Sequence, residues 1–288
     1  WTTSADGLVW TFKMRSDAKW SDGKPVTAKD VEYSVKRAIK PETASPYAYV
    51  LYIIKNAKSI NQTVVPTDTY DIDTMGVKAI DDSTVEFTLE APASYFLSIS
   101  SMWTLRPVPS WAIEAHGDAW TEPANIVVNG PYKLSEWKAG ESLTFVKNPD
   151  YFKASDVQID QVELSVITDQ NTEVALYESG ELDIAGEGAA SLPAEQLTRI
   201  REDATLSAEL HEGPRASTTY VGFTMTKPPF DNVLVRKAFS AAIDRETMVH
   251  PKVSLVPLIP KLVFRATQSR QRSGWQRRDT PMVRASQP

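Results

Sequence analysis

Histidine is the side chain most often used to hold a metal or move a proton near neutral pH, and this chain has three, His116, His211 and His250. They stand far apart, with none of the short spacings that bring two imidazoles onto one metal, so packing or surface roles suit them better. The 37 acidic residues could supply a general acid and a general base, but nothing in their spacing marks one pair over another. The chain has no cysteine, which removes a thiol nucleophile, a Cys-ligated zinc and a disulfide scaffold. Phosphate loops, dinucleotide-binding turns, nucleophile elbows and paired metal-binding histidines are also missing from the sequence. Aromatic side chains, by contrast, are plentiful: eight Trp, ten Tyr and nine Phe. They suit carbohydrate or peptide binding, and they equally suit a large α/β core.

The elements that would position such residues are legible in part. Leu8, Trp10, Phe12 and Met14 alternate with polar residues, the pattern of a half-buried strand. Thr27 stands three residues before Asp30, and Val31, Val35, Ala38 and Ile39 share one helical face until Pro41, so the spacing predicts a capped helix over 28–39. The segment Ala44 to Tyr52, with Tyr47, Tyr49 and Tyr52 close together, reads as a packed loop and short helix. Met75 to Ile80, the turn at Asp81-Asp82-Ser83, and Val85, Phe87 and Leu89 make a hairpin.

A short helix is expected around Tyr95 to Ser101, and another from Ser110 to about His116. Pro107 and Pro109 between them mark a passage between subdomains. Tyr132 to Trp137 and Leu143 to Lys147, joined at Ala139-Gly140, form a second hairpin with one buried face, stopped by Asn148-Pro149. Beyond it come a strand at Val162 to Ile167, a helix capped by Asp169 and ended by Gly180, and a short strand at Leu182 to Ile184. That order suggests a parallel α/β sheet with functional loops at the strands' C-terminal ends. A helix over 193–201 and a strand at Tyr220 to Met225 follow. A final helix, capped by Asp231 or Asn232, should turn Val235, Ala238, Phe239, Ala242 and Ile243 inward.

Charge divides the chain. From His250 to Pro288 there are eight Lys or Arg and one acid, whereas residues 1–249 hold 23 basic and 36 acidic side chains. An acidic body argues against nucleic acid as a partner. The tail also carries five Pro and no sustained periodicity. It reads either as a basic disordered segment or as translation in a shifted frame, and the break in a helical pattern after Met248-Val249 favours the second. No apolar run approaches the length of a membrane span, and no signal peptide opens the chain at Trp1.

Four blocks carry a family resemblance. They are Asp17-Ala-Lys-Trp-Ser-Asp-Gly-Lys-Pro-Val-Thr-Ala-Lys-Asp30, then Asn129-Gly-Pro-Tyr-Lys-Leu134 with Lys147-Asn-Pro-Asp-Tyr-Phe152, then Tyr177-Glu-Ser-Gly-Glu-Leu-Asp183, and Lys227-Pro-Pro-Phe-Asp-Asn-Val-Leu-Val-Arg236 with Ala242-Ile-Asp-Arg245. In this order they resemble the extracytoplasmic solute-binding protein family 5, the receptors through which bacterial ABC importers take up oligopeptides, dipeptides or nickel complexes. The resemblance covers roughly residues 1–249. It implies a mixed α/β fold of the two-lobed (type II) periplasmic-binding class, of which this chain would hold the small subdomain (1–106) and part of the first lobe (107–249). It further implies a monomer in the periplasm, or a membrane-anchored lipoprotein, that captures a peptide or similar small solute without a cofactor and docks on an ABC permease.

The same resemblance places ligand contacts at Tyr47 in Ser45-Pro46-Tyr47, at Met102 and Trp103 before Pro107, and at Gly186, Glu187 and Gly188 after Leu182-Asp183. The last stretch departs from oligopeptide receptors, which often carry Tyr and Asn there. Gly186 would offer only its backbone, and Glu187 is either a partner for a ligand amine or a solvated loop carboxylate. The family's second lobe lies outside the matched stretch, and a half-cleft gives up most of the burial that drives affinity. The chain is therefore expected to bind peptide weakly or not at all, and micromolar binding in calorimetry would overturn that. A non-transport ligand sensor and a carboxylate-dependent hydrolase are the alternative readings; permease dependence and turnover of a peptide or glycoside library separate them.

Overall fold

A computed structural model of the chain describes residues 1–186, 192–211 and 220–244. The basic tail lies outside them. Two compact units are present, the first over Trp1–Leu164 and the second beginning at Ser165.

The first unit is built on a four-stranded sheet in the order β1-β2-β4-β3, formed by β1 (Thr2–Thr3), β2 (Val9–Lys13), β3 (Val77–Asp81) and β4 (Thr84–Thr88), all pairs antiparallel. Alternation puts Val85 and Phe87 of β4 inward, and Leu89 continues the buried face just beyond the strand. Helix α1 (Ala28–Ile39) covers that face through Val35 and Ile39, as the periodicity predicts. α2 (Ala57–Asn61) adds Ala57 and Ile60 to the same core, and α3 (Phe96–Ser100) adds Phe96. The first residue block is what anchors α1. The Asp30 carboxylate accepts from the Thr27 backbone N–H at 2.7 Å, from Thr27 Oγ1 at 3.2 Å and from the buried indole Nε1 of Trp20 at 3.3 Å. One side chain thus caps a helix and satisfies a buried donor.

The β3–β4 turn holds a hydroxyl cluster. Lys13 Nζ donates to Thr84 Oγ1 at 2.6 Å, and Thr84 Oγ1 donates to Asp81 Oδ2 at 2.8 Å. The Thr84 and Ser83 hydroxyls, then the Ser83 N–H, draw the Asp81 carboxyl down to about 2. A carboxylate held below its ordinary value stabilises the fold above about pH 4, and that contribution disappears as pH falls toward about 2. Asp81→Asn should therefore be less stable than the parent at pH 6, with the gap closing between about pH 4 and pH 2 in urea titrations. A gap that stays constant over that range would show that the Asp81 charge plays no part.

α4 (Ser110–His116) leads toward the second hairpin, with Pro109 in the capping position. That hairpin consists of β5 (Tyr132–Lys138) and β6 (Ser142–Lys147), closed by Gly140 at φ +77°. Its register shifts between Leu134 and Glu136. β7 (Gln161–Ser165) lies next to β6. Asn148 explains why the two halves of this motif occur together: fully buried, it donates Nδ2 to the Gly130 carbonyl at 2.8 Å and accepts from the Asp150 N–H at 3.2 Å. The buried face expected for this hairpin is only half-buried, and Trp137 is exposed. Alternation selects a face, but full burial requires a second layer over it, which the described residues do not supply.

In the second unit, α5 (Gln170–Glu178), α6 (Ala194–Glu202) and α7 (Leu206–Glu209) enclose a small core of Val174, Tyr177, Ala185, Leu192, Leu197 and Ile200. The Asp169 side chain caps α5 by accepting from the Thr172 N–H at 2.7 Å, and Gly180 at φ +78° ends it. Tyr177 donates its hydroxyl to Glu209 at 2.8 Å; burial first, then that hydrogen bond, pushes its pKa up. The expected strands at Leu182–Ile184 and Tyr220–Met225 do not form among the described residues. A strand exists only where a neighbour pairs its N–H and C=O groups, and neither segment has one there.

α8 (Val233–Ala242) is capped by Asn232, as read from the sequence, but it departs from the expected burial. Phe239 and Ile243 are exposed, and no residue of the helix is fully buried. Periodicity identifies an apolar face without saying what covers it. Among the described residues, only Phe223 and Phe230 meet Phe239 ring to ring, edge to face at 5.7 and 5.5 Å between centroids.

Candidate functional site

The first unit carries an open hollow of about 240 Å³ lined by Ser34, Arg37, Ala38, Ser45, Pro46, Tyr47, Trp103, Thr104, Arg106 and Val108. Three stretches build it. α1 presents Ser34, Arg37 and Ala38 along consecutive turns. The loop after α1 passes through a left-handed residue, Ala44 at φ 49°, and delivers Ser45-Pro46-Tyr47. A single 3₁₀ turn over Trp103–Leu105 supplies the opposite wall, anchored by buried Leu105.

Ser34 joins two of these walls. Its hydroxyl donates to the Asp30 carbonyl at 2.6 Å and accepts from the Val108 N–H at 2.7 Å, fixing the chain that follows Trp103 against the helix. The aromatic rings then meet edge to face, Tyr47 and Trp103 lying 5.2 Å apart at 80°. Tyr49 stacks on Tyr47 at 5.9 Å. This contact buries neither ring fully: Tyr47 stays 40% exposed and Trp103 57%. Ordinary core aromatics are mostly covered, whereas these two rings are fixed by their neighbours yet open to solvent.

Of the positions taken from the resemblance, Tyr47 and Trp103 come together in this hollow. Met102 is half-buried and does not line it. Gly186 belongs to the second unit, where it is buried at φ +78° with its N–H donating to Glu173 Oε1 at 2.8 Å. Glu187 and Gly188 lie outside the described residues. The two arginines of the hollow, Arg37 and Arg106, were not apparent from the sequence. Arg37 sits in the last turn of α1 and Arg106 follows the aromatic turn, and only folding brings them to one hollow.

The family model for bacterial extracellular solute-binding proteins, family 5 (middle), matches residues 1–251. The chain belongs to this family. A periplasmic oligopeptide-binding protein, OppA, of Escherichia coli is 40% identical over 247 residues, which cover 85% of this chain and 44% of that protein. A probable deoxycholate-binding periplasmic protein, YgiS, of the same organism is 36% identical over 255 residues, covering 88% and 46%. Among solved structures, Haemophilus influenzae OppA in complex with the peptide RPPGFSPFR superposes with a TM-score of 0.74 at 33% identity, covering 86% of this chain and 47% of that one. This family 5 chain thus spans a little under half the length of the curated relatives it matches. Its α/β architecture is that of part of a two-lobed periplasmic binding protein.

Proposed function

We propose that the whole protein is the solute receptor of an ABC importer, that it binds a peptide or peptide-like solute outside the cytoplasmic membrane, and that it passes the solute to a permease. The observation that carries this is the pair of exposed rings, Tyr47 and Trp103, held edge to face at 5.2 Å on the rim of an open hollow. Extended peptides are recognised through backbone hydrogen bonds and roomy pockets that accept varied side chains, and flat aromatic walls suit that purpose. Family membership supports a solute-binding role outside the cytoplasmic membrane; the rest of the reading is that the protein binds rather than catalyses, and acts as a monomer in the periplasm or as an anchored extracellular lipoprotein. The named ligands of the relatives include both oligopeptides and deoxycholate, so the solute class is read from the site. The residue division 1–106, 107–249 is part of the proposal; the buried residues of the first core run from Trp10 to Leu105, whereas the first compact unit extends to Leu164.

The test is an NMR titration of the chain with tri- to pentapeptides carried to millimolar concentration, following tryptophan indole resonances. Weak saturable binding is expected, with Tyr47→Ala and Trp103→Ala each weakening it roughly tenfold, the scale of losing one aromatic anchor. Affinities that ignore both substitutions would end the reading; absence of any shift would match the half-cleft expectation and call for the same titration on the two-lobed protein.

A further inference from the structure

The hollow that holds Tyr47 and Trp103 also holds two guanidinium groups, on Arg37 and Arg106. Neither makes an ion pair with a carboxylate among the described residues, although seven such pairs form there between other side chains. Arg37 has its guanidinium carbon 6.0 Å from the ring centre of Trp120, at the outer limit of a cation–π contact. Arg106 is exposed. The hydroxyl of Thr104, which lies between Trp103 and Arg106 in the chain and lines the same hollow, has no hydrogen-bond partner there. In a chain whose residues 1–249 carry 36 acidic and 23 basic side chains, two unpaired arginines in one hollow run against the prevailing charge.

We propose that this hollow is a carboxylate subsite: Arg37 and Arg106 receive a carboxylate of the bound solute while Tyr47 and Trp103 flank its apolar part. The inference rests on the peptide-receptor reading and names the charge that the receptor favours on this side. Guanidinium supplies paired N–H donors in a fork matching the two oxygens of a carboxylate, and it is weakly hydrated, so it gives up water readily beside aromatic walls. A neutral or cationic group placed here would leave two positive charges uncompensated next to it. The carboxylate could be the C-terminus of a peptide or an acidic side chain.

The experiment compares Ala-Ala-Ala as the free acid, its C-terminal amide, Ala-Glu-Ala amide and benzoate. Each is titrated into the full 288-residue chain, with the Trp103 indole resonance, identified through Trp103→Phe, as readout. The free acid is expected to bind about fivefold more tightly than the amide at low salt, the scale of an exposed ion pair, and this margin should shrink as salt rises. Arg106→Gln should erase the difference between acid and amide, and Arg106→Lys should restore part of it. Arg37→Gln serves as the second variant, with thermal melts confirming that both fold. If Ala-Glu-Ala amide matches the free acid, the subsite takes any carboxylate; if it matches the amide, the subsite takes the C-terminus. Equal binding of acid and amide would overturn the subsite and leave the peptide reading standing. Binding of benzoate, lost in Arg106→Gln, with no binding of any peptide, would keep the anion subsite and sink the peptide reading. Silence from all four probes would overturn the subsite, while the peptide reading concerns the whole two-lobed protein and would stand.

Discussion

Phe96→Ala is expected to destabilise the first unit by about 4 kcal/mol. Phe96 is fully buried and sits where the sheet meets α3. Its ring lies 5.5 Å from Trp10, 6.4 Å from Phe12 and 5.4 Å from Phe87, so it is the hub of an aromatic cluster drawn from β2 and β4. Removal takes away the transfer energy of the ring and leaves a void that these large neighbours cannot collapse to fill. Phe96→Leu, which keeps most of the volume, should cost about 1.5 kcal/mol or less. Guanidinium titrations of the two variants against the parent decide the matter. A loss below about 1 kcal/mol for the alanine variant would mean that the cluster relaxes freely and is not the core's centre.

Gly76→Ala should cost roughly 3 kcal/mol for a different reason, overpacking against backbone. A Cβ at this position would lie 2.4 Å from the Thr88 carbonyl oxygen, 2.8 Å from Lys55 Cβ and 3.2 Å from the Lys55 nitrogen. Those groups cannot swing aside, because the three segments are tied to one another. Gly76 N–H donates to the Lys55 carbonyl at 2.9 Å, Thr88 N–H donates to the Gly76 carbonyl at 2.8 Å, and Lys55 N–H donates to the Thr88 carbonyl at 2.9 Å. Gly130→Ala is the natural control, since an added Cβ there meets nothing within 4 Å. It should leave stability within about 0.5 kcal/mol of the parent. Equal melting temperatures for the two variants would refute the close approach at Gly76.

Some of this architecture can be read one residue at a time. The helix over 28–39 was legible because Thr27, Asp30 and the apolar spacing are local signals, and the structure forms Ala28–Ile39 with that cap. The hairpin at Val85, Phe87 and Leu89 was legible for the same reason. Asp169 and Asn232 as helix caps, and Gly180 as a helix end, depend on chemistry within a few residues. The failures share a different character. The strands expected at Leu182–Ile184 and Tyr220–Met225, the buried face of the second hairpin and the inward face of α8 all depend on a partner elsewhere in the chain, which local pattern does not specify.

The sequence by itself determined family membership and the local elements, because four ordered residue blocks and short-range capping patterns survive without knowledge of what packs on them. It also pointed to Tyr47 and Trp103, through resemblance alone. Only the tertiary structure decided that these two rings touch, that Ser34 ties Val108 to α1 beside them, and that Arg37 and Arg106 share their hollow. These residues come from separate segments, and the distances that relate them are set by the packing of α1 against the sheet. A charge pattern read along the chain sees two scattered arginines; folding brings them to one hollow.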